Sequence, residues 1–214
     1  MEFRLLYSGE LYASSRNDTR APHKHKLRRQ FHPQLRRLWD VNRNLRQLAI
    51  NSGLHSLGIP KNPPFPNVAK FEESWFNAGI AEIGRNWSRV GYQFIPLITS
   101  GIAVRCNLDL LLLRPEEDRY IFERGDIDGQ IKTLFDALRM PIDLSEAGGI
   151  GPQEDETPFF CLLEDDKLIS GVHVTTDQLL LLPTERKVRA NTCAVVIHVK
   201  LNHKSPGSVD QYFA

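Results

Sequence analysis

Apolar positions change their spacing along the chain, and those changes mark out its elements. Glu2 to Leu11 begins with alternation and aromatic content, which predicts a first strand. Tyr12 to Lys26 is polar, basic and poor in apolar residues, and reads as an exposed loop. From Pro33 to Ile50 the leucines at 35, 38, 45 and 48 recur near a helical period. Pro33 suits a first helical position, and Gly53 is placed to end that helix. Asn62-Pro63-Pro64-Phe65-Pro66-Asn67 is a turn-rich connector. Phe71 to Ser88, with Trp75, Phe76, Ile80, Ile83 and Trp87, predicts a partly helical segment. Tyr92 to Thr99 reads as a strand in which Pro96 points to an edge or an irregularity. Ala103 to Leu113 is a long apolar strand with Cys106 and Leu108 through Leu113 as its core, and Asp109 is the single charge within that core. A helix follows Gly129, with Ile131, Leu134, Phe135 and Leu138 on its apolar stripe. Pro158 to Leu163, Leu168 to Thr175 and Asn191 to Leu201 read as further strands, and the tail from Asn202 is polar. The pattern is α/β in the broad sense, α+β in detail: one domain over residues 1–214 with a mixed β-sheet flanked by helices.

Composition narrows the classes. Hydrophobic residues make 41% of the 214 and charged residues 25%, ordinary values for a globular chain. No apolar run approaches the roughly 20 residues that span a bilayer. No signal peptide is evident at the N-terminus, so the expected location is cytoplasmic and no membrane partner is expected. Cys106, Cys161 and Cys193 are far apart in apolar surroundings and read as buried thiols; no Cys or His spacing resembles a zinc site. The net charge of +1 hides an asymmetry: residues 1–50 hold eleven Lys and Arg against four Asp and Glu, a net of +7, which leaves −6 for the rest. No glycine-rich dinucleotide or phosphate-loop fingerprint is present, so no organic cofactor is expected. Gly148-Gly149-Ile150-Gly151 runs into Pro152 and acids and reads as a flexible loop.

The most informative segment is Asp126-Ile127-Asp128 with the helix that follows. In an extended stretch, residues two apart project to one side, so the two carboxylates can converge on one cation. Lys132 lies one helical turn beyond Asp128. Hard oxygen ligands beside a lysine suit Mg²⁺ and a phosphate better than zinc. A helix N-cap with a first-turn acid accounts for the same pair of aspartates. Lys132 also fits a solvated helix face. Asp136, two turns from Asp128, reads as a packing acid or a further member of the acidic set. Asp165 and Asp166 fit a turn before a strand or additional ligands; Glu164 and Asp155 are weaker candidates. Arg16, Arg20, Lys24, Lys26, Arg28 and Arg29 form a basic arm, suited to phosphate contacts that are independent of sequence. Arg36, Arg43 and Arg46 extend that patch or form a plain solvated face. Trp75, Phe76 and Trp87 fit a buried helical face better than base stacking, and His173 and His198 read as strand residues.

Asp126, Asp128, Lys132 and Phe135-Asp136-Ala137-Leu138, with the later Leu163-Glu164-Asp165-Asp166, resemble the active-site motif of the RusA family of Holliday-junction resolvases. The resemblance covers roughly Arg119 to Val174. It departs from the family in Gly129, where an asparagine is usual, and in a longer connection before Asp165. It implies a metal-dependent endodeoxyribonuclease of DNA recombination and repair that cuts four-way junctions by phosphodiester hydrolysis. Asp126, Asp128 and Asp166, with Asp165 as the near alternative, would hold Mg²⁺ or Mn²⁺, and Lys132 would assist at the phosphate. The implied partners are branched DNA and a second copy in a homodimer. A non-catalytic branched-DNA-binding protein, or a nuclease acting on flaps or foreign DNA, fits the same fold.

Overall fold

The computed structural model describes residues 1–13, 21–61, 70–115, 127–180 and 192–203. Along the chain run β1 (Glu2–Glu10), α1 (Ala21–Val41), α2 (Arg43–Ser56), α3 (Glu72–Asn86), β2 (Ser88–Arg89), β3 (Tyr92–Ile98), β4 (Val104–Pro115) and α4 (Ile127–Leu138). Then come β5 (Phe159–Leu163), β6 (Ile169–Leu179) and β7 (Thr192–His203), with 3-10 turns at Glu154–Glu156 and Asp166–Leu168. This is the mixed α+β architecture that the periodicities predict.

Four strands form the main sheet in the order β1-β7-β4-β6. β7 is antiparallel to both β1 and β4, while β4 and β6 are parallel. The register puts Leu5, Ile197, Leu110 and Val174 in one row across the sheet. Period-2 alternation then sends Leu108, Leu110, Leu112, Val195, Ile197 and Val199 inward, each 1% exposed or less. Each fully buried side chain of this kind contributes roughly 1.5–3 kcal/mol. The other face carries polar residues: Lys200 pairs with Asp109 at 2.7 Å and His198 with Glu2 at 3.0 Å. The second sheet runs β2-β3-β5, with β3 and β5 parallel. Pro96 sits in β3 opposite Cys161. β2 pairs only with Tyr92 and Gln93, so the proline lies where one side of β3 has no partner among the described residues. All three cysteines are free and buried.

The N-terminal helices differ from the expectation. Helix α1 starts at Ala21, inside the segment read as a loop, and carries Pro33 in its interior. Leu27, Phe31, Leu35 and Trp39 explain why. They recur every four residues and are all buried, and that apolar stripe outweighs the lost backbone donor of Pro33. The helix expected to run unbroken to Ile50 stops at Val41. Asn42 is extended, and its side chain accepts from the backbone N–H groups of Asn44 and Leu45 at 3.1 Å, so it caps a new helix. Gly53 does not end that helix. It lies inside α2, where it meets Gly79 of α3.

At that meeting the two helix backbones approach so closely that neither glycine leaves room for a side chain. A Cβ on Gly79 would sit 1.7 Å from the Ala49 carbonyl oxygen, and one on Gly53 1.9 Å from that of Trp75. Gly79→Ala should therefore force α2 and α3 apart and lower unfolding free energy by roughly 2–3 kcal/mol or more in urea titration. Gly101→Ala, whose Cβ would meet nothing nearer than 3.9 Å, should stay within about 0.5 kcal/mol of the parent protein.

Candidate functional site

Helix α4 carries the acidic motif, and both its ends are anchored. At the N-terminal end Gln130 donates to the Leu11 carbonyl at 3.1 Å and Thr133 to the Tyr12 carbonyl at 2.9 Å. Arg114, near the end of β4, donates to the Gln130 side-chain oxygen. Leu134, Ala137 and Leu138 bury the inner face in the main core. Asp128 and Lys132 stand on the opposite face, exposed and four residues apart, with no ion pair to either among the described residues. Asp126 lies outside the described residues. Asp128 is helical, not extended, so the geometry of two acids on one side of a strand does not apply to it. It occupies the first turn, where the helix dipole favours an anion. Gly129 is buried in that turn.

The C-terminal end of α4 is held by a cation that the sequence reading assigned elsewhere. Arg28 of α1 is 1% exposed. It donates to the carbonyl oxygens of Asp136 at 2.6 Å, Arg139 at 3.2 Å and Glu146 at 2.7 Å. Carbonyls at the end of a helix lack intrahelical donors and carry the negative end of its dipole, so a buried guanidinium satisfies both needs. Burial pulls its pKa down to about 10, which leaves it charged at neutral pH. Asp136 completes the arrangement as a packing acid, paired with Lys24 at 2.6 Å and Arg139 at 3.1 Å. Arg139 also pairs with Glu146 at 2.9 Å. Burial alone would lower the Arg139 pKa, but Glu146 and Asp136 outweigh it and raise it.

The same groups pin the long connection after α4. Arg28 and Arg139 both hold Glu146, and the Tyr92 hydroxyl donates to the Ile150 carbonyl at 3.1 Å. Gly148 and Gly149 take positive φ angles of 82° and 73° there, and the Gly148 backbone packs beside His25. Glu156, 2% exposed, binds Arg29 and accepts from the Gln153 N–H at 2.9 Å. The glycine-rich stretch expected to be a flexible loop is therefore docked on α1. His32 accepts from the Phe160 N–H through Nδ1 at 2.8 Å, which leaves Nε2–H to donate to the Asp155 carbonyl at 3.0 Å.

Asp165 and Asp166 lie at the other end of α4 from Asp128. Met140 N–H donates to the Leu163 carbonyl, Arg139 bridges Leu163, and β6 begins opposite Cys106 at the start of β4. From Asp128 to Arg139 the helix rises about 16 Å. The expectation that these aspartates converge in one chain is thereby corrected: β4 and β6 are parallel, so the crossover must begin at one end of the sheet and finish at the other. Asp165 caps the 3-10 turn by accepting from the Lys167 N–H at 3.0 Å, while Asp166 is exposed. Glu164 accepts from the Ser100 N–H at 2.6 Å. Among the described residues no three Asp, Glu, His or Cys side chains come together as a metal site.

The basic arm is also redistributed. Arg16 and Arg20 lie outside the described residues. Arg28 is corrected from a phosphate contact to a buried helix anchor, because its donors are used by backbone carbonyls. Lys24 and Arg29 are engaged by Asp136 and Glu156, and Lys26 stays exposed. Arg36 and Arg37 are exposed beside a cleft of about 670 Å³ floored by Phe76, Ile80 and Phe160. Arg46 crosses that cleft to Glu73 at 2.7 Å. The clue missed in the sequence was the four-residue spacing of Lys24, Arg28 and His32 beside that of Leu27, Phe31 and Leu35. It marks one helix with a second buried face.

Arg28→Met should cost on the order of 3–5 kcal/mol in denaturant unfolding, because three buried carbonyls lose their donor. Amide exchange should quicken most in residues 140–156. Burial lowers the His25 pKa from 6.5 to about 4 and also lowers that of His32. The unfolded chain thus binds protons first, and stability should fall as pH drops from about 6.5 towards 4. His25→Leu should flatten a pH series of thermal melts in that window. Comparison of the chain with protein-family models, curated proteins and solved structures gave no match.

Proposed function

We propose that this protein is a Mg²⁺-dependent, structure-selective DNA endonuclease that hydrolyses phosphodiester bonds in four-way junctions. The observation that carries the reading is the pair Asp128 and Lys132: exposed, one turn apart and without an ion pair among the described residues, on a helix anchored at both ends. An anion and a cation held at fixed spacing on a rigid element suit a phosphate with its metal. Asp126 and Asp128 offer the hard oxygen donors that Mg²⁺ prefers, and the ion would polarise the phosphate and activate water. Lys132 faces the phosphate, and exposed Lys26, Arg36 and Arg37 supply duplex contacts.

Separation of Asp128 from Asp165 and Asp166 bears on how the acidic set is completed. One chain offers Asp128 at one end of α4 and Asp165 and Asp166 at the far end. In this reading a second copy supplies Asp165 or Asp166, which matches the two symmetric cuts that a junction requires. The second reading, a branched-DNA-binding protein without cleavage, is favoured by the same separation if each chain acts alone.

Asp128→Asn should reduce Mg²⁺-dependent cutting of a labelled four-way junction at least 100-fold, and Lys132→Ala at least 10-fold, with unchanged circular dichroism. Both side chains are exposed, so the loss would not reflect unfolding. Asp128→Asn mixed with Asp166→Asn should recover part of the activity that each variant lacks alone. Tight junction binding without cutting in Mg²⁺ or Mn²⁺ would select the second reading.

A further inference from the structure

The cleft of about 670 Å³ is lined by the last two turns of α1, by α2 and α3, and by β3 and β5. None of its lining residues belongs to α4. Its floor is apolar: Phe76 and Ile80 of α3 and Phe160 of β5 are each 7% exposed or less. One wall is Arg46, whose guanidinium carbon lies 4.7 Å from the Phe76 ring centroid. Glu73 holds that guanidinium and balances its charge. Arg36 and Arg37 stand at the rim, exposed and without an ion pair among the described residues. Asp40 is one turn from both, yet it pairs with neither, so positive charge prevails at the rim. Asn77 and Gln93 present side-chain amides that have no hydrogen-bond partner among the described residues. An apolar cleft of about 300–1,000 Å³ with a few convergent polar groups is the usual form of a small-molecule site.

We propose that this cleft binds a purine nucleoside 5′-phosphate, either as a free nucleotide or as the terminal nucleotide of a DNA strand. Each part of that ligand has a counterpart in the lining. The base stacks against the Arg46 guanidinium, which Phe76 backs and Glu73 keeps in place; guanidinium planes and aromatic rings are common partners of bases. Ile80 and Phe160 cover the apolar side of the sugar. Arg36 and Arg37 take the phosphate, whose oxygens a planar guanidinium can grip through two parallel bonds. Asn77 and Gln93 each offer a donor beside an acceptor, the pattern that matches the N6 and N7 edge of adenine. A ligand that is only anionic, such as an acidic peptide, uses the two arginines and leaves the stacking wall and the amides idle. The proposal does not rest on the endonuclease reading, because the lining excludes α4. Arg36 and Arg37 act as phosphate contacts in both.

The test is made on the full chain in EDTA, so that no metal-dependent cutting intervenes. Isothermal titration with adenosine 5′-monophosphate should show one saturable site with a dissociation constant below about 1 mM. Adenosine and inorganic phosphate should each bind at least about tenfold more weakly, since each keeps only part of the contacts. Arg36→Ala combined with Arg37→Ala should weaken the nucleotide at least about tenfold with unchanged circular dichroism, both side chains being exposed. Asn77→Ala, also exposed, should narrow the preference for adenosine over cytidine monophosphate. Truncation of buried Phe76 would disturb the core, so the cleft is filled instead: Ala81→Trp, at a half-buried lining position, should abolish binding. Displacement of the nucleotide by a 5′-phosphorylated single strand would assign the site to a strand end, and failure to displace it would assign a free nucleotide. Absence of saturable binding would overturn the proposal. So would equal binding of phosphate alone, or displacement by a polyglutamate peptide as readily as by the nucleotide. A protein that cuts junctions but binds no nucleotide would sink this proposal and leave the endonuclease reading standing; one that binds the nucleotide and cuts nothing would do the reverse.

Discussion

The guanidinium of Arg28 is the contact on which the rest of the arrangement depends. It sits where α1, the end of α4 and the connection to β5 meet, and its three acceptors come from two of those parts. A charge buried this deeply is tolerated only when every donor is used and counter-charges are near. Asp136 and Glu146 meet the second need, and they in turn fix Lys24 and Arg139. One cation thus closes a helix terminus, immobilises a connection of more than a dozen residues and attaches the N-terminal helix to the sheet domain.

The opposite end of α4 is built on another principle. There the anchors are neutral amide and hydroxyl groups, Gln130 and Thr133, bonded to the chain leaving β1. Arg114 steadies Gln130 there, and neither Asp128 nor Lys132 takes part in the anchoring among the described residues. Charges at the C-terminal end are satisfied by the protein, whereas Asp128 and Lys132 at the N-terminal end stand exposed. This division also explains why a basic N-terminal segment need not be a nucleic-acid arm. Of its four described members, Lys26 alone keeps its charge at the surface without an ion pair among the described residues.

The parallel pairing of β4 and β6 sets the remaining constraint. A parallel crossover cannot return a chain to the end of the strand it left. Residues that are close in a motif, such as Asp128 and Asp166, are therefore held apart by the length of α4.

Much of this architecture was legible from spacing alone. Alternation in β1 and β7 and the apolar run of β4 predicted the strands, and the stripe of Leu134 and Leu138 predicted α4, because burial imposes its pattern on the sequence. The three thiols were read as buried from their apolar neighbours. Local pattern failed where a helix had two buried faces. Around Lys24, Arg28 and His32, charge masked helical period, and a proline mistaken for a start lay mid-helix. Gly53 was read as a stop because a glycine at a helix end and one at a helix crossing look alike until the second helix is in place. By itself the sequence determined most of the strands, helix α4, the fold class and the one-turn spacing of Asp128 and Lys132, since each rests on residues within a few turns of one another. Only the tertiary structure decided which charges are buried, which loop is fixed and which aspartates can meet, because those outcomes rest on contacts between residues more than a hundred positions apart, such as Arg28 with Asp136 and Glu146.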